Sequence, residues 1–255
     1  MMQKNDVAAA LYTQVLLAAI LLTRLPLPRL AKQHFSHGNK AVWAYPLVGL
    51  LVGTLAALAG TTALGLGLPP VAAAGLALAV LMLSTGAMHE DGLADLFDGF
   101  WGGQTPARRL EIMRDSQIGS YGVLALMLVT GLRWSALAAL LPTGLAPLIA
   151  AATLSRAMMP LLMLTLPHAR RDGLSHSVGQ PGAGAVALSL LIGVLVAMLC
   201  TGWVGLLASL AAILTTAAIG ILAHRRIGGQ TGDVLGAAQQ LSETAILLIL
   251  LIFLG

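Results

Sequence analysis

The chain has 255 residues, 58% of them hydrophobic and 9% charged, whereas soluble domains carry roughly a quarter charged residues. With 14 basic and 10 acidic side chains it cannot cover a soluble surface, so a bilayer must take that surface's place. The basic excess forms no stripe with interleaved aromatics, which excludes nucleic acid and points to positive-inside topology, and the single cysteine, Cys200, excludes an intrachain disulfide.

The first apolar run, 7–22, is followed by Thr23-Arg24-Leu25-Pro26 without a small-residue cleavage site, so it is expected to be retained. As a helix it rises about 24 Å in a hydrocarbon core roughly 30 Å thick, which leaves its crossing open. Further apolar runs cover 42–66, 71–88, 120–141, 145–166, 184–201 and 204–223, with a shorter one at 244–254. Three connections, 66–70, 142–144 and 201–203, are brief and uncharged and predict tight turns. The remaining connections hold Arg24, Arg29, Lys32 and Lys40, then Arg108, Arg109 and Arg114, then Arg170 and Arg171, then Arg225 and Arg226. All basic loops thus fall on one side, predicting three helical hairpins that open to the cytoplasm. The expected fold is one all-α polytopic membrane bundle over 1–255, with about six to eight membrane helices and an active site on its cytoplasmic face.

Six of the ten acids, Glu90, Asp91, Asp95, Asp98, Glu111 and Asp115, lie within 90–115. On a continuous helix Asp91, Asp95 and Asp98 recur at i, i+4 and i+7, one face of a 3.6-residue period. Like charges so spaced repel unless a cation compensates, and a hard divalent ion such as magnesium suits a carboxylate set of this kind. The expected metal residues are Glu90, Asp91, Asp95, Asp98 and Asp115. Gly92, Gly99, Gly102 and Gly103 beside them suggest close backbone approach to a ligand, which a solvated juxtamembrane face would not need. Arg133 and Arg156 interrupt apolar spans and are read either as facing the bundle interior, paired with a phosphate or a motif carboxylate, or as snorkelling or closing a structural ion pair. Arg170 and Arg171 are read either as a positive-inside anchor or as a phosphate loop. Gly228-Gly229-Gln230-Thr231-Gly232-Asp233 reads as a glycine cluster opening a helix, where backbone N–H groups can meet an anion, with Thr231 or Asp233 as the cap. Asp233, Gln240 and Glu243 then share one face.

Several blocks in order carry a family resemblance. They are Thr23-Arg24-Leu25-Pro26-Leu27-Pro28, Tyr45-Pro46-Leu47-Val48-Gly49, His89 through Gly99, Ile112-Met113-Arg114-Asp115-Ser116 with Gly119-Ser120-Tyr121-Gly122, and Thr231-Gly232-Asp233-Val234-Leu235-Gly236-Ala237. In these the chain resembles the cobalamin synthase, or adenosylcobinamide-GDP ribazoletransferase, family over nearly its whole length. The resemblance implies a Mg2+-dependent enzyme of the bacterial cytoplasmic (inner) membrane that joins adenosylcobinamide-GDP to alpha-ribazole, or to its 5′-phosphate, and releases GMP. On that reading Glu111 or Asp115 orients or deprotonates a ribazole 5′-hydroxyl. His89, Arg108, Arg109, Arg114, Arg156, Arg170, Arg171, Asp233 and Glu243 are then expected to contact substrate. An oligomer, or association with other cobalamin-assembly enzymes, is left open. A more distant similarity links Asp95, Asp98 and Gly99, and then Glu111 and Asp115, to CDP-alcohol phosphotransferases, although no Ala-Arg pair follows Gly99 and Glu111 stands in place of an aspartate. The competing class is an ion-coupled transporter, which would set its acids near the bilayer midplane.

Overall fold

The computed structural model describes residues 4–255, and every extended regular element among them is helical. In chain order these are α1 (Lys4–Leu22), the single turn α2 (Gly38–Ala41), α3 (Tyr45–Gly65), α4 (Pro70–Thr85), α5 (Met88–Gly102), α6 (Pro106–Ile112), α7 (Ser120–Leu140), α8 (Ala146–Thr165), the short α9 (Leu174–Val178), α10 (Ala183–Thr201), α11 (Val204–Ile227) and α12 (Gly232–Leu254). Six helical runs are long and apolar enough to cross a membrane: the run ending in α3, α7 with its following turn, α8, α10, α11 and α12. Helices α4 and α5 form a bent pair, long and apolar enough together for one span, in which α4 turns through 87° into α5. The bend has a local cause, because Gly86 and Ala87 both take left-handed backbone angles, φ 66° and 55°, and close α4 with a bond from Ala87 N–H to the Met82 carbonyl.

The outward surface is leucine and the inside is small. Leu128, Leu191, Leu199, Leu210 and Leu214 are exposed, whereas Ala, Gly and Ser fill the helix contacts. A Cβ built at Gly53 would lie 2.7 Å from the Ala152 methyl, and one at Gly205 2.7 Å from the Ala197 backbone. The α3/α8 and α10/α11 contacts therefore approach backbone distance, as membrane helices do when small residues line their seams.

Two of the expected hairpins form, α3 with α4 and α10 with α11. The third does not. Although α7 and α8 are joined by the turn at 141–143, α8 lies against α3, α10 and α12, and α12 occupies the position beside α7. The reason is in α8 itself, whose residues from Ala150 to Pro160 are all buried and which therefore needs neighbours all round. The run at 244–254 proves to be the outer half of the 23-residue α12. Helix α1 packs Leu17, Ala18 and Leu22 into the core, and its apolar part, Ala8–Leu22, is shorter than the spanning helices.

The basic connections meet at one end of the bundle. Arg24 N–H bonds the Ser84 carbonyl at the foot of α4, and Arg109 reaches the Arg226 carbonyl at the end of α11 (2.9 Å). Arg114 reaches Asp172 in the loop after α8 (2.7 Å). By the positive-inside rule this end faces the cytoplasm.

Candidate active site

The polar end is organised by the crossing of α5 and α12. A Cβ at Gly92 would lie 3.0 Å from the Asp233 backbone, and one at Gly236 3.2 Å from His89 Cα, so glycines on both helices let the two backbones touch and bring Asp91 alongside Asp233. This corrects the expectation that the glycines of α5 receive a ligand: Gly92 receives α12, while Gly99 and Gly103 receive Met113 and Arg109 of the α6 region. Gly102 alone stands clear, with only the Ile112 side chain nearby.

Two cavities flank the crossing and share Asp91. The first is lined by His89, Asp91, Arg170 and Asp233 together with apolar side chains of α1, α3, α8 and α9. The second is lined by Asp91, Ala94, Asp95, Met113, Arg114, Asp115, Ser116, Gln117 and Ile118. Of the expected metal residues, Asp91, Asp95 and Asp115 therefore border one space. Asp91 and Asp115 are exposed there, and Asp95 is partly buried. Among the described residues no three His, Cys, Asp or Glu groups converge closely enough to enclose an ion, so the acids line walls and do not form a ready-made cage.

Asp98 is placed differently from its sequence face. Its two carboxylate oxygens accept the Gly119 and Gly122 N–H groups at 2.7 and 2.9 Å, capping the start of α7. A carboxylate is favoured at the positive end of a helix. Both glycines are required, since a Cβ at either would collide with the Asp98 carboxyl. Glu90 is also removed from the metal set. One residue along a helix turns the side chain by about 100°, so Glu90 points into the bundle while Asp91 points out.

In the bundle, Glu90 joins a buried network. Arg133 donates to Glu90 (3.2 Å), to Glu243 (2.6 Å) and to Gln240. Arg156 lies 3.4 Å from Glu243 and donates to the Ala152 carbonyl (3.0 Å). Gln239 and Ser155 complete the shell of Glu243 at 2.6 and 3.3 Å. Two arginines and two glutamates balance in charge, and Arg133 and Glu243 are 1% and 0% exposed. Of the alternatives for Arg133 and Arg156, the structure shows the structural ion pair, which engages Arg156 and Glu243 inside the bundle and away from the two cavities. Gln239 and Ser155 were not singled out from the sequence; their signal is polar side chains inside apolar runs.

The other expected contacts divide by position. Arg170 pairs with Asp233 (3.3 Å) and Asp172 (3.7 Å), and its second terminal nitrogen is buried without a partner. Arg114 grips both oxygens of Asp172 at 2.7 and 2.8 Å. Asp172, not anticipated, thus ties two cationic groups beside the cavities. Arg109 is structural, holding the Gly103 and Arg226 carbonyls. Glu111 does not face the acidic cavity: it is exposed and paired with Arg108 at 2.8 Å, one turn away on α6. Arg171 is exposed on the loop. Thr231 does cap α12, accepting the Val234 N–H at 3.3 Å. The glycines before it serve a loop contact, with Gly229 pressed on the Pro167 carbonyl and His168 bridged to Gln230. Burial and the adjacent His176 ring push the His168 imidazole below its usual range, favouring the neutral ring that shares a 2.9 Å bond with the Gln230 amide.

The model of the family described as cobalamin-5-phosphate synthase (CobS) matches residues 14–251. The chain belongs to that family. Among curated relatives, an adenosylcobinamide-GDP ribazoletransferase of Bradyrhizobium diazoefficiens is 48% identical over 217 residues, 82% of each chain. One of Mesorhizobium japonicum is 44% identical over 242 residues, covering 92% of this chain and 91% of its own. One of Azorhizobium caulinodans is 48% identical over 243 residues, covering 91% and 92%. No solved structure matches the chain. Family membership and the helices together make it a bacterial multi-pass membrane protein.

Proposed function

We propose that this protein is an adenosylcobinamide-GDP ribazoletransferase of the cytoplasmic membrane whose chemistry takes place in the acidic cavity between α5 and the 113–118 segment. The observation that carries the reading is the shared position of Asp91, which borders that cavity and the neighbouring one at once, in a chain matched to the family over residues 14–251. A transporter reading has less support. The charged groups within the spans, Glu90, Arg133, Arg156 and Glu243, neutralise one another, and the remaining acids of the cluster lie at the basic end.

The bond that forms joins a ribose hydroxyl oxygen of the acceptor to the phosphorus on the cobinamide side of the pyrophosphate. The bond that breaks is from that phosphorus to the bridging oxygen, which leaves with GMP. A family described by a 5-phosphate product requires that the acceptor can carry phosphate at its 5′ oxygen, so the nucleophile is a ring hydroxyl of the ribose and not the 5′-hydroxyl first expected. Asp115, exposed at the cavity with one oxygen held at 3.1 Å by Gln117 N–H, orients that hydroxyl and takes its proton; Glu111 is too far round α6 for this role. Arg170, with an unpartnered nitrogen, and Arg114 supply cationic contacts to the pyrophosphate.

The donor set fits magnesium. Asp91 and Asp95 line one space and would hold the ion through hard carboxylate oxygens; Mg2+ characteristically uses one or two carboxylates and fills its shell with water and substrate phosphate, which suits a site without a preformed cage. When bound it supplies charge neutralisation at the pyrophosphate. Full-length protein in liposomes, given adenosylcobinamide-GDP and alpha-ribazole 5′-phosphate, should yield GMP and a phosphorylated cobalamin in equal amounts. GMP without a joined corrinoid would mean hydrolysis and would contradict the transferase.

A further inference from the structure

The apolar part of α1, Ala8–Leu22, rises about 22 Å at 1.5 Å per residue, less than a hydrocarbon core of roughly 30 Å. Its neighbours fix its course. Ala9, Ala10 and Leu17 share a groove with His34, His37 and Lys40. Gln14 accepts the Trp43 indole N–H at 2.6 Å, and Leu22 lies with Tyr45 in the wall of the first cavity. Partner numbers rise with position along α1, so α1 runs in the same direction as 34–45, the segment that leads into α3. A helix crossing the bilayer immediately before α3 would run antiparallel to it, with its early turns beside the far half of α3. Those turns lie instead beside residues that precede α3, at the basic end of the bundle.

The connection between these parallel stretches is built to return. Pro26 and Pro28 bar a helix, and residues 23–31, extended at about 3.3 Å each, reach about 30 Å, enough to retrace α1. Non-helical backbone at membrane depth is tolerated only where protein pairs it. Here Arg24 N–H donates to the Ser84 carbonyl (2.7 Å) and Leu25 N–H to the Thr23 hydroxyl (3.4 Å), which itself donates to the Ala19 carbonyl (2.7 Å). The Arg24 side chain covers Gly86, where a Cβ would come within 2.6 Å of it, so the turning point is seated on the α4/α5 bend. We propose that α1 and 23–31 form a re-entrant element, which dips into the cytoplasmic leaflet and leaves it on the same side, so that α1 does not cross and its N-terminal end lies with the basic loops. Its partner is the lipid of that leaflet. Leu11 and Tyr12 are 46% and 64% exposed on its outer side, tyrosine suits the membrane interface, and the groove lined by His34, His37 and Lys40 offers donors to headgroup phosphates.

The test places cysteines in the full-length chain with Cys200→Ala, since Cys200 is its one cysteine. In spheroplasts, a membrane-impermeant maleimide should label Leu66→Cys, an exposed position in the turn at the opposite end of the bundle. It should leave Ala8→Cys unlabelled until the cells are lysed. Labelling of Ala8→Cys in intact spheroplasts to the level of Leu66→Cys overturns the proposal. A second measurement reads the direction of α1 and decides the matter if Ala8→Cys stays unlabelled from both sides. A short bismaleimide should bridge Ala10→Cys to His37→Cys, which share the groove, and should not bridge Ala10→Cys to Leu58→Cys. A crossing α1, antiparallel to α3 with Leu22 still beside Tyr45, would bring Ala10 to the level of Leu58. Bridging of the Leu58 pair, or failure of the His37 pair in protein whose two cysteines both react with the reagent, overturns the proposal. Neither measurement depends on the transferase reading, so either can fail without the other.

Discussion

Glu243→Gln removes one of two carboxylates that balance Arg133 and Arg156 inside the bundle, leaving those cations to share Glu90. The glutamine keeps the size of the side chain and can still accept from Arg133, so little packing changes. The loss is electrostatic: a broken buried pair costs about 3–5 kcal/mol, compared with about 1 kcal/mol for one neutral hydrogen bond. The second half of the test restores neutrality. In Glu243→Gln with Arg156→Gln, Arg133 and Glu90 remain as one matched pair, so the double variant should be less destabilised than the two single costs combined, by about 1–3 kcal/mol. The assay is reversible unfolding in mixed micelles followed by tryptophan fluorescence, with Trp134 next to Arg133 on α7 as a local reporter. Strictly additive costs would refute the idea that these four side chains act as a neutral unit.

Asp98→Asn should reduce stability by about 1–2 kcal/mol, because an amide oxygen can replace only one of two carboxylate acceptors at the α7 start; an unchanged unfolding midpoint would remove the capping role. Gly122→Ala should be at least as damaging, since the new methyl meets the Asp98 carboxylate and the Ala94 carbonyl together, and full folding yield would contradict that contact. Asp115→Asn should lower kcat by at least about 100-fold, whereas Glu111→Gln, on the far side of α6, should stay within about threefold of wild type; the reverse order in steady-state assays would exchange their roles. Arg170→Lys should raise KM for adenosylcobinamide-GDP by about tenfold, because a lysine does not reproduce the planar fork that pairs with Asp233 and presents a free nitrogen.

Apolar length made most helices readable, and loop charge made the common basic end readable, because both follow directly from the bilayer as solvent. The α12 span was shortened in the sequence because Asp233, Gln239, Gln240 and Glu243 break its apolar run; three of these are partnered inside the bundle by Arg133 and Ser155, and such partners belong to distant helices. The same limit governs the acids. Periodicity places Asp98 on the face of Asp91 and Asp95, but the glycines that claim it lie 21 and 24 residues away. Glu90 and Asp91 are adjacent in the chain yet divided between bundle and cavity by one helical step. The glycines of α5 do mark close approach, but what approaches is α12 and the α6 region and not a ligand. The cavity beside His89 has no local signature at all, since its walls come from α1, α3, α5, α8, α9 and α12 and the connecting loops.

The most direct measurement is GMP release from adenosylcobinamide-GDP and alpha-ribazole 5′-phosphate by wild type and Asp95→Asn, each in saturating Mg2+ and with chelator. The acidic cavity as a metal-dependent transfer site predicts GMP from wild type only with Mg2+, and at least about a 100-fold loss in a folded Asp95→Asn protein. Undiminished GMP release by Asp95→Asn, or by wild type in chelator, would contradict it.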